Sequence, residues 1–578
     1  MIFYAQNVEE LKGVIDKFEA ISFDIWDTLI ARTVLQPEDV FSIVENRANE
    51  MGIKASGFRN YRHEAVFQVA CANPNIGEIY SAVQKVMGIS DQEKDCLEKL
   101  EIQVESDVIV ARKDMVKILR YAASLGKKIN LISDMYLPGN IMERFLQQIG
   151  INGYDNIFIS CDYRRLKSEG LYSFYKEKVQ AATYLHIGDN ADSDGVYAEK
   201  WGINTALIKS GYRLLRESAF GEIINKVNTH NERCMLGLFC ACLFNSPFRE
   251  TKKIQILCGK DLGWLFIAPI ISEFIIWLGY EMQKESYDGI LFAARDGYLI
   301  QKLYDWMKGI RINSAFPKGI YFLTSRALCT QAGIEDEKDI IWLASIKFHG
   351  TKQELLSYRF CLDNEDIIDW NEKEIEETEY VLLHRDKILA KAFENRKNYL
   401  EYMNDQELRP GNKYAFFDFV SSGTCQYYLE RFIPFKIRGK YFCRSITADK
   451  RAEMRIDSLY TNNGVEKADS LLYQNYRNLE TIMTSLEPSL HYIDSSRRAV
   501  YDDEVRNSEE LQLICDIQQA IEDYFKYFSA MCDWNEEVNM EIAETLYHYM
   551  EEPCVKVVCK SLNSIRLCDD WVREFADK

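Results

Sequence analysis

The stretch ISFDIWDTLIAR, Ile21 to Arg32, sets the architecture of the first part of the chain. It opens on an apolar run that reads as a buried strand, and Asp24 stands where that run ends. Asp27 comes three residues later, with Trp26 between the two carboxylates. In an open α/β sheet, residues just past the carboxyl ends of the strands line the ligand crevice, so Asp24 is placed to react. Beyond this stretch, the runs KKINLIS, NIFIS, TYLHIG and TALIK alternate with amphipathic helical stretches as far as about residue 215. That alternation is the pattern of a parallel sheet covered by helices, and the predicted class is α/β.

Between the first and second of these strands lies a long insertion, Gln36 to Arg112, without a convincing strand. PEDVFSIVENRANEMG, FRNYRHEAVFQVACA and IGEIYSAVQKVMG each space their apolar residues as helices do, which predicts a separate helical cap. Arg32, just ahead of it, is either a contact for an anionic substrate or a surface arginine.

Four short pieces fall at strand ends in an order that lets them share one site. Asp24 ends the first strand and Ser133 ends the second, in NLISDMYLP. Lys167 comes after NIFIS in CDYRRLKSEG, and GDNADSD, Gly188 to Asp194, comes after YLHI. Alone, each has a bland reading: a turn, a helix cap, a surface lysine, a solvated acidic loop. Their joint order favours a site.

Together these residues resemble the haloacid dehalogenase (HAD)-like superfamily over about residues 15 to 212. The resemblance implies a Rossmann-like core with a cap at the position of the Gln36 to Arg112 insertion. It implies Asp24 as nucleophile, Ser133 as a hydrogen-bond donor to phosphate and Lys167 as charge stabiliser. Asp24, the main-chain carbonyl of Trp26, Asp189 and Asp194 would serve a Mg²⁺ ion. The chemistry wants these types: a carboxylate attacking phosphorus splits one hard displacement into two, and a lysine, a hydroxyl and a hard cation steady the transferring charge.

In phosphatases of that family the residue two after the nucleophile is usually a second Asp, acting as acid and base; here it is Trp26. Loss of such a group typically removes a factor of about 10² to 10⁴ in rate. Three explanations stay open. The leaving group needs little protonation, or Asp27, Asp134 or the substrate supplies the proton. Alternatively, the site attacks carbon, as dehalogenases do. Otherwise it only binds, or is vestigial.

A second α/β region spans residues 216–505, and a helical stretch, 506–578, closes the chain. GILFAARDGYL, GIYFLTSR and YAFFDFVSSGTCQ place Arg295, Asp296, Ser325, Arg326, Asp418, Gly423 and Thr424 near strand ends. They are candidates for a second ligand site, or are ordinary capping and ion-pair residues. FDIWDTLIAR, FAARDGYL and DFVSSGT resemble two-domain hydrolases found in bacteria beside surface-polysaccharide genes. That implies a phosphorylated small-molecule substrate, such as a sugar phosphate or nucleotide sugar, and association with polysaccharide biosynthesis enzymes.

The chain has 578 residues and a formal net charge of −19, which argues against nucleic-acid binding. Its sixteen cysteines lack CxxC pairs and no signal peptide precedes them, so reduced thiols in a cytoplasmic protein are expected. LGWLFIAPIISEFIIWLGY, Leu262 to Tyr280, approaches bilayer-spanning length, but Pro269 and Glu273 near its middle predict a buried helix rather than a membrane span. The leading expectation is a phosphohydrolase or phosphotransferase. The alternatives are a glycosyl- or phospho-transferase with its chemistry in the second region, and a non-enzymatic scaffold.

Overall fold

The computed structural model describes residues 2–311, 314–368, 375–444, 454–460, 476–558, 568–569 and 574–575. The chain forms two compact units, Met1–Gln255 with Lys526–Lys556, and Ile256–Phe525 with Val557–Lys578. The sequence pattern draws its lines at 215 and 505 instead. The helix His230–Leu243 belongs to the first unit because it packs against Glu541–Tyr549 of the returning segment. Asn231 anchors the return, with its Nδ2 donating to Asp533 O at 3.0 Å and its Oδ1 accepting from Asp533 N at 2.7 Å.

In the first unit, six parallel strands form one sheet: β1 Ile2–Tyr4, β2 Ala20–Phe23, β3 Lys128–Ser133, β4 Asn156–Ile159, β5 Tyr184–Gly188 and β6 Asn204–Leu207. Their order is β1-β6-β5-β2-β3-β4. Strands β2 and β5 are buried along their whole length, which is why they read as largely apolar runs rather than alternating ones, with Ser22 and His186 as the polar exceptions. The five expected strands are all present; β1, at the edge, is an addition. The chain order reverses between β2 and β5, the place where an open α/β sheet leaves a crevice at its carboxyl edge.

Four helices fill the insertion: Asp39–Glu50, Phe58–Gln68, Ile76–Met87 and Asp91–Asp107. Capping boxes start the last two, at Asn75 with Glu78 and Ser90 with Glu93. Between helices of this insertion the buried Arg62 guanidinium and Glu101 carboxylate meet at 2.8 Å through both oxygens, and Tyr80 Oη donates to the same carboxylate at 2.9 Å. The insertion does contain strand. Ile109–Ala111 pairs antiparallel with Ile30–Arg32, a ribbon too short and too far apart in sequence to read from pattern.

In the second unit, five parallel strands are β7 Gly289–Ala293, β8 Lys318–Phe322, β9 Lys413–Ser421, β10 Lys436–Arg444 and β11 Ile456–Tyr460, in the order β8-β7-β9-β10-β11. This is a doubly wound order with its reversal between β7 and β9. The apolar helical segment Gly259–Lys284 has the length and composition to cross a membrane, and 89% of its apolar window is buried inside the protein. Pro269 has no N–H to continue the ladder, and the turn just before it, Gly263–Ile267, is widened into a π-helical form.

Candidate active site

Four neighbouring strands bring the sequence motifs of the first unit together. Phe23 pairs with Ile187, and Asp24 N donates to Ile187 O at 2.8 Å, so Asp24 sits beside Gly188 and Asp189 at the reversal point. On the other side β2 pairs with β3, whose last residue, the buried Ser133, pairs with Ile159 at the end of β4. After β4 the chain turns so that Lys167 N donates to Asp134 Oδ1 at 2.9 Å, which ties the lysine loop to the end of β3.

The Lys167 ammonium, 2% exposed, lies 2.5 Å from Asp24 Oδ1 and 2.6 Å from Asp194 Oδ1. Asp194 has two further partners. Asn190 N donates to its Oδ2 at 3.0 Å, and His186 Nε2 lies 3.2 Å from its Oδ1. The far side of that ring, Nδ1, meets Ser22 Oγ at 2.9 Å. Asn190 Oδ1 accepts from Asp192 N and Ser193 N, which starts the π-helical turn Ala191–Val196 that carries Asp194. Gly188 is required by this packing, since a Cβ there would fall inside the Asp194 carboxyl group. His186 and Ser22 are neighbours of the cluster that sequence reasoning missed; their signal is a polar side chain inside an otherwise apolar buried strand.

Burial pushes the Asp24 carboxyl up to about 7, with Asp194 adding to the rise and Lys167 opposing it. Burial works the same way on Asp194, but Lys167 and His186 outweigh it and hold that carboxyl below its ordinary value. Asp189 is held well above its usual range by burial, then by the charges of Asp27, Asp24 and Asp194. Oxygens of Asp24, Asp189 and Asp194 lie within 4.8 Å of one another. An all-oxygen set with excess negative charge fits a hard divalent cation such as Mg²⁺.

Trp26 and Asp27 directly adjoin this cluster in the chain. The Arg32 guanidinium sits 3.6 Å from the Trp26 ring centroid and pairs with both oxygens of Glu105, at 2.9 and 3.0 Å. Arg32 is therefore a clamp on Trp26 and not a surface arginine. The Trp26 Nε1 is buried with no hydrogen-bond partner among the described residues. Asp27 adopts the left-handed φ of 54°, and the buried Arg112 holds it there by donating to its carbonyl oxygen and to Lys209 O, the latter at 2.9 Å. Burial raises the Asp27 carboxyl against Arg112 and Arg32.

In the second unit the other candidates gather at the β7/β9 reversal. Arg295, at a left-handed φ of 68°, precedes Asp296, and its Nη1 lies 2.5 Å from Ser489 Oγ. Asp418 lies inside β9, three residues before its end. Because β9 overruns β7, with Phe417 paired to Phe292, Asp418 still reaches the carboxyl edge. Burial, then Glu480 and Asp418, raise the Asp296 carboxyl well above its usual value, against Arg295 and Arg326. Ser325 Oγ accepts from Leu328 N at 3.0 Å and so caps the helix that begins at Arg326. Gly423, at φ 84°, turns the chain into the short helix that starts at Thr424.

No family model and no curated protein matches the sequence. Among solved structures, a dehalogenase with an intermediate complex is similar over 33% of this chain and 84% of its own, at 18% identity and a TM-score of 0.25. The L-2-haloacid dehalogenase RSc1362 shows 17% identity over 33% and 86%, TM-score 0.24. A HAD phosphatase from Thermococcus onnurineus shows 15% identity over 33% and 86%, TM-score 0.25.

Proposed function

We propose that the first unit is a Mg²⁺-dependent phosphohydrolase or phosphotransferase that acts on a phosphorylated small metabolite through an aspartyl phosphate on Asp24. The observation that carries this reading is the placement of the Asp24 carboxylate. It stands at the sheet reversal, 2.5 Å from the Lys167 ammonium and within cation-sharing distance of Asp189 and Asp194. A Mg²⁺ ion held by Asp24, Asp189, Asp194 and the Trp26 carbonyl would supply compensation for the phosphoryl charge and favour the ionised form of Asp24.

The chain's own residues carry the rest. Asp24 attacks phosphorus, Lys167 and the Ser133 hydroxyl steady the transferring oxygens, and Asp194 with His186 keeps the ammonium in place. An indole has only a donor N–H and cannot exchange a proton with a leaving group, so Trp26 supplies no acid or base. Asp27, whose carboxyl burial shifts upward and which lies near enough to Asp189 to raise that group in turn, takes the acid's place on this reading. A sugar phosphate or nucleotide sugar of surface-polysaccharide biosynthesis, met in the cytoplasm beside other enzymes of that process, is the substrate class that the sequence resemblance suggests.

The test is phosphate release from sugar phosphates, nucleotide sugars and acyl phosphates, with and without Mg²⁺, for wild type and Asp24→Asn. Metal-dependent release that Asp24→Asn abolishes is the expected outcome. Full activity in Asp24→Asn overturns the mechanism. The cluster of Asp296, Asp418, Glu480 and Arg295 at the second reversal favours one rival reading, a transferase centred there. Turnover that survives Asp24→Asn but is lost in Asp296→Ala would select it.

A further inference from the structure

A strip of the insertion, Asn73 to Glu78, docks on the two core loops that follow β3 and β4. Ile76 N donates to Tyr136 O at 2.9 Å, in the loop that begins after Ser133. Arg164, in the loop after β4, reaches the strip with its guanidinium. Its Nη1 and Nη2 donate to Glu78 Oε2 and Oε1 at 2.6 and 2.7 Å, and Nη1 donates also to Asn73 O at 3.2 Å. From the insertion side, Asn73 Nδ2 donates to Glu169 Oε2 at 3.1 Å.

These contacts bracket Lys167, which lies between Arg164 and Glu169 in the chain. The loop that carries it is tightly wound. Its first part, the short helix Ser160–Tyr163, ends on Arg164 at a left-handed φ of 55°, and the turn Lys167–Glu169 ends on Gly170 at φ 104°. A side chain such as arginine is uncommon at that φ and persists where the surroundings hold it. Here the holding contacts are the bonds to Glu78 and Asn73. Glu78 is fixed in turn, because its Oε2 accepts from Asn75 N at 2.9 Å in the capping box that starts the helix Ile76–Met87. An isolated exposed ion pair contributes little, whereas a bidentate arginine–carboxylate pair inside a network defines a geometry.

We propose that this strip is a latch on the lysine loop, in which Arg164 and Glu78, with Asn73 and Glu169, are positioning residues that set the Lys167 ammonium against Asp24. The inference rests on the phosphoryl-transfer reading of the first unit and adds to it a coupling between the insertion and the charge that transfer needs. Lys167 N is tied separately to Asp134 Oδ1 at 2.9 Å. With the latch seated, the loop is held at both ends and at its middle, and Nζ is delivered 2.5 Å from Asp24 Oδ1. With the strip lifted, Arg164 and Glu169 lose these partners and the ammonium loses its fixed place. The stabilising charge is thus complete only while the insertion is docked.

The experiment uses the full-length protein with Arg164→Met, which keeps the stem of the side chain, and Glu78→Gln, which keeps an acceptor for Asn75 N. Phosphate release from sugar phosphates with Mg²⁺ is expected to fall about ten- to a hundredfold in kcat in either variant, with KM little changed. The double variant should be no slower than Arg164→Met, since both changes remove one contact. Arg164→Lys, which restores the charge without the fork, should recover part of the rate. A second measurement, acetic anhydride labelling read by peptide mass spectrometry, does not depend on turnover. Lys167, 2% exposed, is expected to be protected in the wild type and to lose that protection in both variants. Lys167 protected as in the wild type in both variants would overturn the latch, and so would a rate loss carried by KM alone. Release that survives Asp24→Asn, or a wild type that releases no phosphate, would instead remove the phosphoryl reading, and the labelling then decides the latch by itself.

Discussion

The Lys167 ammonium bridges two carboxylates of the first unit, 2.5 Å from Asp24 and 2.6 Å from Asp194. Removing it leaves two buried carboxylates facing each other, with His186 and the Asn190 N–H as the remaining partners of Asp194. Lys167→Met is expected to lose about a hundredfold or more in phosphate release, by analogy with other single electrostatic stabilisers. It should also melt lower than wild type without divalent cation and regain more of its melting temperature on addition of Mg²⁺. Calorimetry with and without the ion measures both.

Trp26 invites a gain-of-function substitution. Trp26→Asp places a carboxyl two residues after Asp24, at the cost of the stack with Arg32. Faster turnover of a phosphomonoester, by about ten- to a thousandfold, is expected if acid and base chemistry is what the site lacks. Unchanged or slower turnover in a folded variant would show that the indole itself serves substrate binding.

Arg62 and Glu101 tie two helices of the insertion together with both partners fully buried. Arg62→Leu strands the Glu101 carboxylate in the core, at a cost of about 3–5 kcal/mol. The double variant Arg62→Leu, Glu101→Leu removes the charge as well and should recover most of that loss. Denaturant titration of the two variants checks the difference.

His491 gives the second unit a pH dependence. Asp502, then Cys361, outweigh burial and push the ring's pKa up to about 10, above the roughly 6.5 of an unfolded chain. A group whose folded pKa is raised contributes stability fully present below the unfolded value and lost as pH rises through the folded one. Melting temperature should therefore fall between about pH 6.5 and 10, and fall less in His491→Gln. Equal slopes would show that His491 does not keep its proton. The ring's charged or titratable neighbours are Asp502 and Cys361, with the Tyr358 and Tyr492 rings packed against it.

Much of the first site was legible because parallel strands buried on both faces leave continuous apolar runs, and the residues just past such a run line a crevice. Asp24, Ser133, Lys167, Asp189 and Asp194 all obey that logic. His186 and Ser22 were not legible, because they lie within the strands and their role depends on which strand lies next to which. The ribbon of Ile30–Arg32 with Ile109–Ala111 escaped for a related reason, as three-residue strands far apart in sequence carry no periodicity. His491 and Asp502 share no motif at all; only the hairpin of Leu490–Ile493 with Ala499–Tyr501 brings them together.

The return of residues 526–556 to the first unit bears on how the protein is made. A ribosome releasing about 5–20 residues per second needs on the order of 15–60 s between residue 255 and the end of the helix Glu541–Tyr549. Throughout that interval the nascent helix His230–Leu243, which buries Met235, Leu236, Leu238 and Phe239 in the finished protein, lacks its covering partner. The first unit thus begins translation first yet cannot close until most of the second unit has been made, and its waiting apolar surface is a natural handhold for a chaperone.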